Sequence, residues 1–214
     1  CLRETAKQLA SLPEGNGKIN LKDFANPKDE SFGPTDKKLS KADKKLYDLG
    51  KEVYFREAHC VTCHQPDGRG AEMPKEAGKE VRGAYPPLAR TPGYPYNGWL
   101  SGEPDRAIKI VLNGLYGPQI IDGKAYGDIA TGQPAMTGLG QLLSDEEVAA
   151  VLTYVRQSFG NDLPVVKADQ VKKVRAEIKD KNNAPYTVEE VLKQHPLEVA
   201  KAAPAKAAPA QKKK

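Results

Sequence analysis

The chain has 214 residues, of which 39% are hydrophobic and 7% aromatic, with 19 Gly and 17 Pro; that is a thin core for the length. No run approaches the ~20 consecutive apolar residues of a membrane-spanning helix. The net charge of +5 lies wholly in residues 161–214, which hold 12 basic and 7 acidic residues and leave 21 of each before them; a neutral main domain lacks the basic face that nucleic-acid binding requires.

Residues 1–40 are polar and rich in Gly, Asn, Pro, Asp and Ser. Apart from a short helix expected over 3–12, they read as a tether or a strap. A helix is predicted to open at Ser40, with Asp43 three positions on completing a capping-box-like start. It runs to about residue 58, with Leu46, Leu49, Val53 and Tyr54 at helical spacing. Gly50 in its middle costs about 1 kcal/mol relative to Ala, which calls for a close crossing by another helix.

That helix delivers Cys60-Val61-Thr62-Cys63-His64. Two cysteines three apart, with a histidine directly after, form the attachment pattern of c-type haem. On a helical turn residues i and i+3 face the same way, so both thiols reach the vinyl groups of one porphyrin, and His64 offers a ring nitrogen to the iron. A closed zinc site would need two further ligands, and the rest of the chain holds only Cys1, His59 and His195. A thioredoxin-like pair would want βαβ surroundings, which the pattern does not provide. One covalent haem also supplies apolar mass that the composition lacks.

Residues 83–104 are dense in Pro, Gly and Tyr and carry the single tryptophan, Trp99; such a stretch cannot be helical throughout and reads as a wrap around the cofactor. A helix starts at Glu103-Pro104-Asp105, lined by Ile108, Val111 and Leu112 and ended by Gly114. Residues 116–132 read as turns or a short hairpin around Asp122-Gly123. Ser144-Asp145-Glu146-Glu147 is a capping box with acidic residues at the positive helix end, followed by Val148, Val151, Leu152, Val155 and Phe159 on one face. Beyond residue 161, a basic amphipathic helix over 168–179 and a short one over 187–194 are expected, and 201–214 is Ala/Pro/Lys low complexity of the kind that stays disordered. The domains are therefore 1–40 as an extension, 41–161 as the haem domain and 162–214 as a C-terminal extension.

A histidine-ligated haem has a second axial position, and two methionines compete for it. Met73 lies in a Lys/Glu-rich stretch, whereas Met136 lies in the loop Gly132-Gln133-Pro134-Ala135-Met136-Thr137-Gly138 just before the best helix. Reach alone does not exclude Met73; the setting favours Met136. Trp99 and Arg90 are candidates to hydrogen-bond the haem propionates, with Trp as core wall and Arg as solvated surface the plain alternatives. Tyr94 and Tyr96 are candidates for the haem edge. His59 and His195 read as solvent-facing.

The capped helix with Gly50 and Tyr54, the Cys60–His64 motif, Tyr85-Pro86-Pro87-Leu88, a middle helix, Met136 and a final helix together resemble class I cytochrome c, over about residues 41–161. The resemblance implies an all-α fold around one haem, a crossing of the first and last helices near Gly50 and Tyr154, and a Pro86 carbonyl that accepts the proton of the other His64 nitrogen. Two departures stand out: Thr137 follows Met136 where the family has proline, and the stretch from 70 to 83 is longer than usual. A chain opening at Cys1 resembles a mature bacterial lipoprotein with a diacylated cysteine, on the periplasmic side of the membrane; an incidental thiol is the alternative.

Methionine–histidine ligation closes both faces of the iron and raises its potential. The expected function is accordingly one-electron transfer with no small-molecule substrate of the chain's own. The extensions and the lipid resemble the mono-haem lipoprotein subunit of alternative complex III, a quinol-oxidising respiratory assembly, whose other cytochromes and subunits would be the partners. A lipid-tethered carrier to an oxidase or dehydrogenase is the nearest alternative. A gas sensor or peroxidase would require that Met136 not bind.

Overall fold

The structure is a computed structural model that describes residues 39–72, 83–91 and 96–197. Cys1, Met73, Tyr94, the helix expected over 3–12 and the low-complexity tail lie outside the described residues. Helix α1 (Lys41–Phe55) starts where the cap predicts: the Ser40 hydroxyl accepts from the Asp43 amide at 3.1 Å. Helix α4 (Asp145–Arg156) carries the reciprocal capping box, with Ser144 and Glu147 each bonding the other's backbone. Between them run the short motif helix α2 (Cys60–His64), the strands β1 (Ala71–Glu72) and β2 (Gly83–Tyr85), and helix α3 (Asp105–Asn113).

α1 and α4 cross face to face, and Gly50 is the reason they can. A Cβ at that position would land on the Ala150 carbonyl and lie 2.9 Å from Tyr154 Cβ. The crossing is sealed by rings: Tyr154 packs on Tyr47, Tyr54 and Phe159 with centroids 5.2, 5.3 and 5.5 Å apart. Such tilted and edge-on pairs add to the burial of large apolar area. Tyr54 and Tyr154 are both essentially inaccessible to solvent.

After α3 the chain makes strand β3 (Gly114–Tyr116), then the antiparallel hairpin β4 (Gln119–Ile121) and β5 (Lys124–Tyr126). Its turn is Asp122-Gly123, both at positive φ (50° and 72°), the two-residue hairpin geometry that such a pair favours. A 3-10 turn (Ile129–Thr131) leads to β6 (Met136–Thr137), which pairs antiparallel with β3.

The sequence places the end of the domain at 161, but the packing does not stop there. Helix α5 (Ala168–Glu177) lies against α3 and α4, strand β7 (Tyr186–Thr187) pairs parallel with β3, and α6 (Val188–Gln194) follows. Val166, Val171, Val174 and Val191 are fully buried. Arg156, at the end of α4, is 1% exposed and donates to the carbonyls of Pro164, Leu100 and Gly102. Residues 162–197 are thus part of the folded body, with Val171 and Val174 as the buried face of the basic amphipathic helix expected there. No helix among the described residues is long and apolar enough to cross a membrane.

Candidate functional site: a haem cavity

The motif helix α2 is bounded by two residues in costly backbone conformations. His59 is left-handed (φ 50°, ψ 28°), and Gln65 has φ 63°, ψ 160°. Non-glycine residues in such regions cost on the order of 1–3 kcal/mol each and persist where the surroundings over-determine them. Here the surroundings are visible: the Gln65 amide donates to Val61 O at 2.9 Å, and the Tyr54 hydroxyl donates to Gln65 O at 2.7 Å. A single helical turn is thereby isolated and aimed.

His64 is 8% exposed, and its Nδ1 lies 2.8 Å from the Pro86 carbonyl oxygen. A carbonyl only accepts, so Nδ1 carries the proton and Nε2 keeps its lone pair for a metal. Burial also lowers the pKa of the ring, an effect that the Pro86 bond only partly opposes, which favours the neutral, ligating form. Burial pushes the Cys60 thiol up to about 12 and raises Cys63 as well. A redox pair of cysteines depends on a thiolate held low; these are the opposite. Among the described residues no group of three or more His, Cys, Asp or Glu could hold a metal ion.

The strap that presents Pro86 is held by two asparagines that sequence reading did not single out as site residues. Asn97 is 1% exposed; its amide donates to Pro87 O at 2.8 Å and Ala89 O at 3.1 Å, and its side-chain oxygen accepts from the Trp99 amide at 2.9 Å. Asn161 accepts from the Asn97 amide at 2.7 Å and donates to Leu88 O at 2.8 Å. An asparagine in a Pro/Gly/Tyr stretch, and another after a helix, read as turn residues; nothing local marks them as clamps.

Cys60, His64 and Met136 line one cavity, otherwise walled mostly by apolar side chains such as Leu100, Val111, Leu115 and Val151. An adjoining pocket, lined by Cys63, Tyr85 and Pro134 among others, shares Cys60, His64, Pro86 and Met136 with it. Met136 is placed there by β6, where it pairs with Leu115 of β3. Trp99 lines the cavity, and its Nε1 is the one buried side-chain polar atom among the described residues with no hydrogen-bond partner. A buried donor left unpaired costs about 1–3 kcal/mol, so a partner from a bound group is the economical explanation. Arg90 is not in the cavity wall. It is exposed, lies over Gly160 with Cβ at 3.4 Å from that residue's would-be Cβ, and lines an outer groove that shares Pro87 and Ile121 with the cavity. Tyr96 packs against the main core; His59 is exposed at the edge of the adjoining pocket, whereas His195, expected to face solvent, is half-buried because α3 presents Lys109 and Arg106 to it.

The residues present fit a haem: two neutral thiols at its attachment spacing, a neutral imidazole, a thioether, apolar walls and an orphaned donor. The cytochrome c family profile matches residues 47–159. The chain belongs to the cytochrome c family. It is similar to cytochrome c-552 of Thermus thermophilus, 34% identical over 135 residues that make up 59% of this chain and 84% of that protein. It is also similar to the cytochrome c subunit of a quinone alcohol dehydrogenase from Gluconobacter oxydans (strain 621H), 30% identical over 175 residues, 81% of this chain. A third relative is the cytochrome subunit of fructose dehydrogenase from Gluconobacter japonicus, 34% identical over 120 residues, 56% of this chain. The chain spans only 30% and 21% of the length of those two dehydrogenase subunits. As a class I cytochrome c, it carries covalently bound haem c, and residues 47–159 are an electron-transfer domain.

Proposed function

We propose that this cytochrome passes single electrons through a haem c attached at Cys60 and Cys63, with His64 and Met136 as its two axial ligands. Haem c, when bound, supplies the one-electron iron couple. The chain's own residues do the rest. His64 is held in one tautomer by Pro86, Met136 is carried on a paired strand, the apolar walls exclude water, and Trp99 offers its Nε1 to a propionate from within the cavity. Arg90 would meet the same carboxylates only from the groove beyond Pro87 and Ile121. The observation that carries the reading is that His64 and Met136 line the same cavity; a haem c bound there would be held by both, which would leave its iron no place for a substrate.

The test is the absorption spectrum of the reduced protein with and without carbon monoxide, beside a Met136→Ala variant. The wild type is expected to ignore the gas and the variant to bind it. Ready binding by the wild type would favour the sensor or peroxidase alternative.

We further propose that the domain works as a membrane-anchored subunit of a quinol-oxidising respiratory complex of the alternative complex III type, lipidated at Cys1 on the periplasmic side. The similarity to cytochrome subunits of quinone-dependent dehydrogenases supports a subunit role. A tethered carrier to an oxidase or dehydrogenase is the second reading, supported by the similarity to cytochrome c-552, most of whose length this chain covers. Purification from detergent-solubilised membranes separates them: stoichiometric multihaem partners favour the subunit, a lone cytochrome the carrier. The mass of the N-terminal peptide tests the lipid.

A further inference from the structure

We propose that the C-terminal segment 162–197 is a positioning brace for Met136, and that Arg175 is its principal contact; this rests on Met136 being the sixth ligand. The segment meets the Met136 strand from two sides. In the sheet, Leu115 of β3 pairs with Met136 on one edge and with Tyr186 on the other, so β7 completes the bed on which β6 lies. Asn113, 5% exposed, donates to Ala184 O at 3.0 Å and fastens β7 to the end of α3.

The second attachment acts on the loop that leaves Met136. There Leu139 and Gly140 donate to Val111 O and Leu112 O at 2.8 and 2.9 Å, which sets the loop against α3. From the other side Arg175 donates Nη1 to Gly140 O at 2.6 Å and Nη2 to Leu143 O at 3.0 Å, while its Nε bonds Asp145 Oδ1 at 2.7 Å at the start of α4. Gln141 adds a bond to Asn183 at 3.0 Å. One guanidinium from the extension thus ties the loop after Met136 to the first turn of the helix that follows. A planar fork with several fixed donors suits two carbonyls and a carboxylate at once.

The consequence concerns ligand exchange. A foreign ligand reaches the iron only while the Met136 loop is open, so its apparent affinity scales with the open fraction of the loop. Local opening of this kind is governed by the bonds that hold the loop and is separable from global unfolding. Removing the brace therefore raises the affinity for an outside ligand without changing His64, the thiols or the cavity.

The experiment is an imidazole titration of the full-length ferric cytochrome followed by absorption. Arg175→Leu is expected to bind imidazole about tenfold more tightly than the wild type, and Met136→Ala more tightly still. Val53→Ala, a core change on α1 away from the cavity wall, is the control for general destabilisation. If Arg175→Leu does not fold, Arg175→Lys carries the test, because lysine keeps a charge near Asp145 but cannot hold both carbonyls as a fork; a rise of severalfold is expected. An affinity within twofold of wild type in the Arg175 variant, or an equal rise in Val53→Ala, overturns the proposal while leaving Met136 as ligand. Equal imidazole affinity in Met136→Ala and wild type overturns the ligand reading itself, and the brace with it.

Discussion

Trp99 differs from its neighbours in one respect: its ring is buried, yet its Nε1 has no acceptor in the protein. Its backbone is fully employed, with the amide on Asn97 and the carbonyl on the Arg106 guanidinium at 3.1 Å, so the ring is held in place by groups unrelated to its own donor. If that donor serves a haem propionate, Trp99→Phe removes a hydrogen bond to a charged group, worth about 1.5–3 kcal/mol. It also leaves more uncompensated negative charge near the iron, which favours the ferric state. The variant is expected to be destabilised by about 2 kcal/mol in urea and to show a lower reduction potential. An unchanged potential would mean that Nε1 does not face the propionates. The motif residues were legible because their chemistry is local: thiols three apart and the next imidazole need only one turn of helix. Asn97 and Asn161 were not, because what they do depends on partners up to 73 positions away.

At the scale of elements, α6 is fastened to α3 by a contact that depends on protonation. Lys109 Nζ lies 2.8 Å from both His195 Nε2 and Gln194 Oε1, and Arg106 donates to the carbonyls of His195 and Pro196 at 3.1 and 2.8 Å. An ammonium only donates, so His195 must be neutral to accept. Burial first, then Lys109 and Arg106, lower the His195 pKa below 6.5, while Asp105 and Glu177 act in the opposite sense. The folded state therefore holds fewer protons than the unfolded state in this window. The contribution is fully present above pH 6.5 and is lost as pH falls through the lowered pKa. The difference in melting temperature between wild type and His195→Gln is expected to shrink as pH drops from about 7 to about 5. A difference that stays constant with pH would mean that His195 titrates alike in both states. The helices themselves were readable where a cap announced them, as at Ser40 and Ser144. What they pack against was readable only at Gly50, where a glycine inside a helix demands a close neighbour.

For the molecule as a whole, the folded body reaches past the family match at 47–159. Val166, Val171, Val174, Tyr186 and Val191 are each at most 3% exposed, and burying a side chain of that kind is worth about 1.5–3 kcal/mol. Removing the segment takes that burial away and bares the faces of α3 and α4 that it covers. A chain ending at residue 161 is thus expected to lose its cooperative thermal transition and its resistance to protease; a truncated form as stable as the full chain would show that the extension merely decorates the fold. The sequence alone determined the helical turn of the Cys60–His64 motif, the capped helix starts and the Asp122-Gly123 hairpin, because each is written in spacings of four residues or fewer. Only the tertiary structure decided that Arg90 stands outside the cavity, that two asparagines clamp the Pro86 strap, and that a basic, weakly amphipathic extension belongs to the core beside Met136. Those outcomes depend on which distant backbone carbonyls and apolar faces meet, and no local pattern of residue types encodes that.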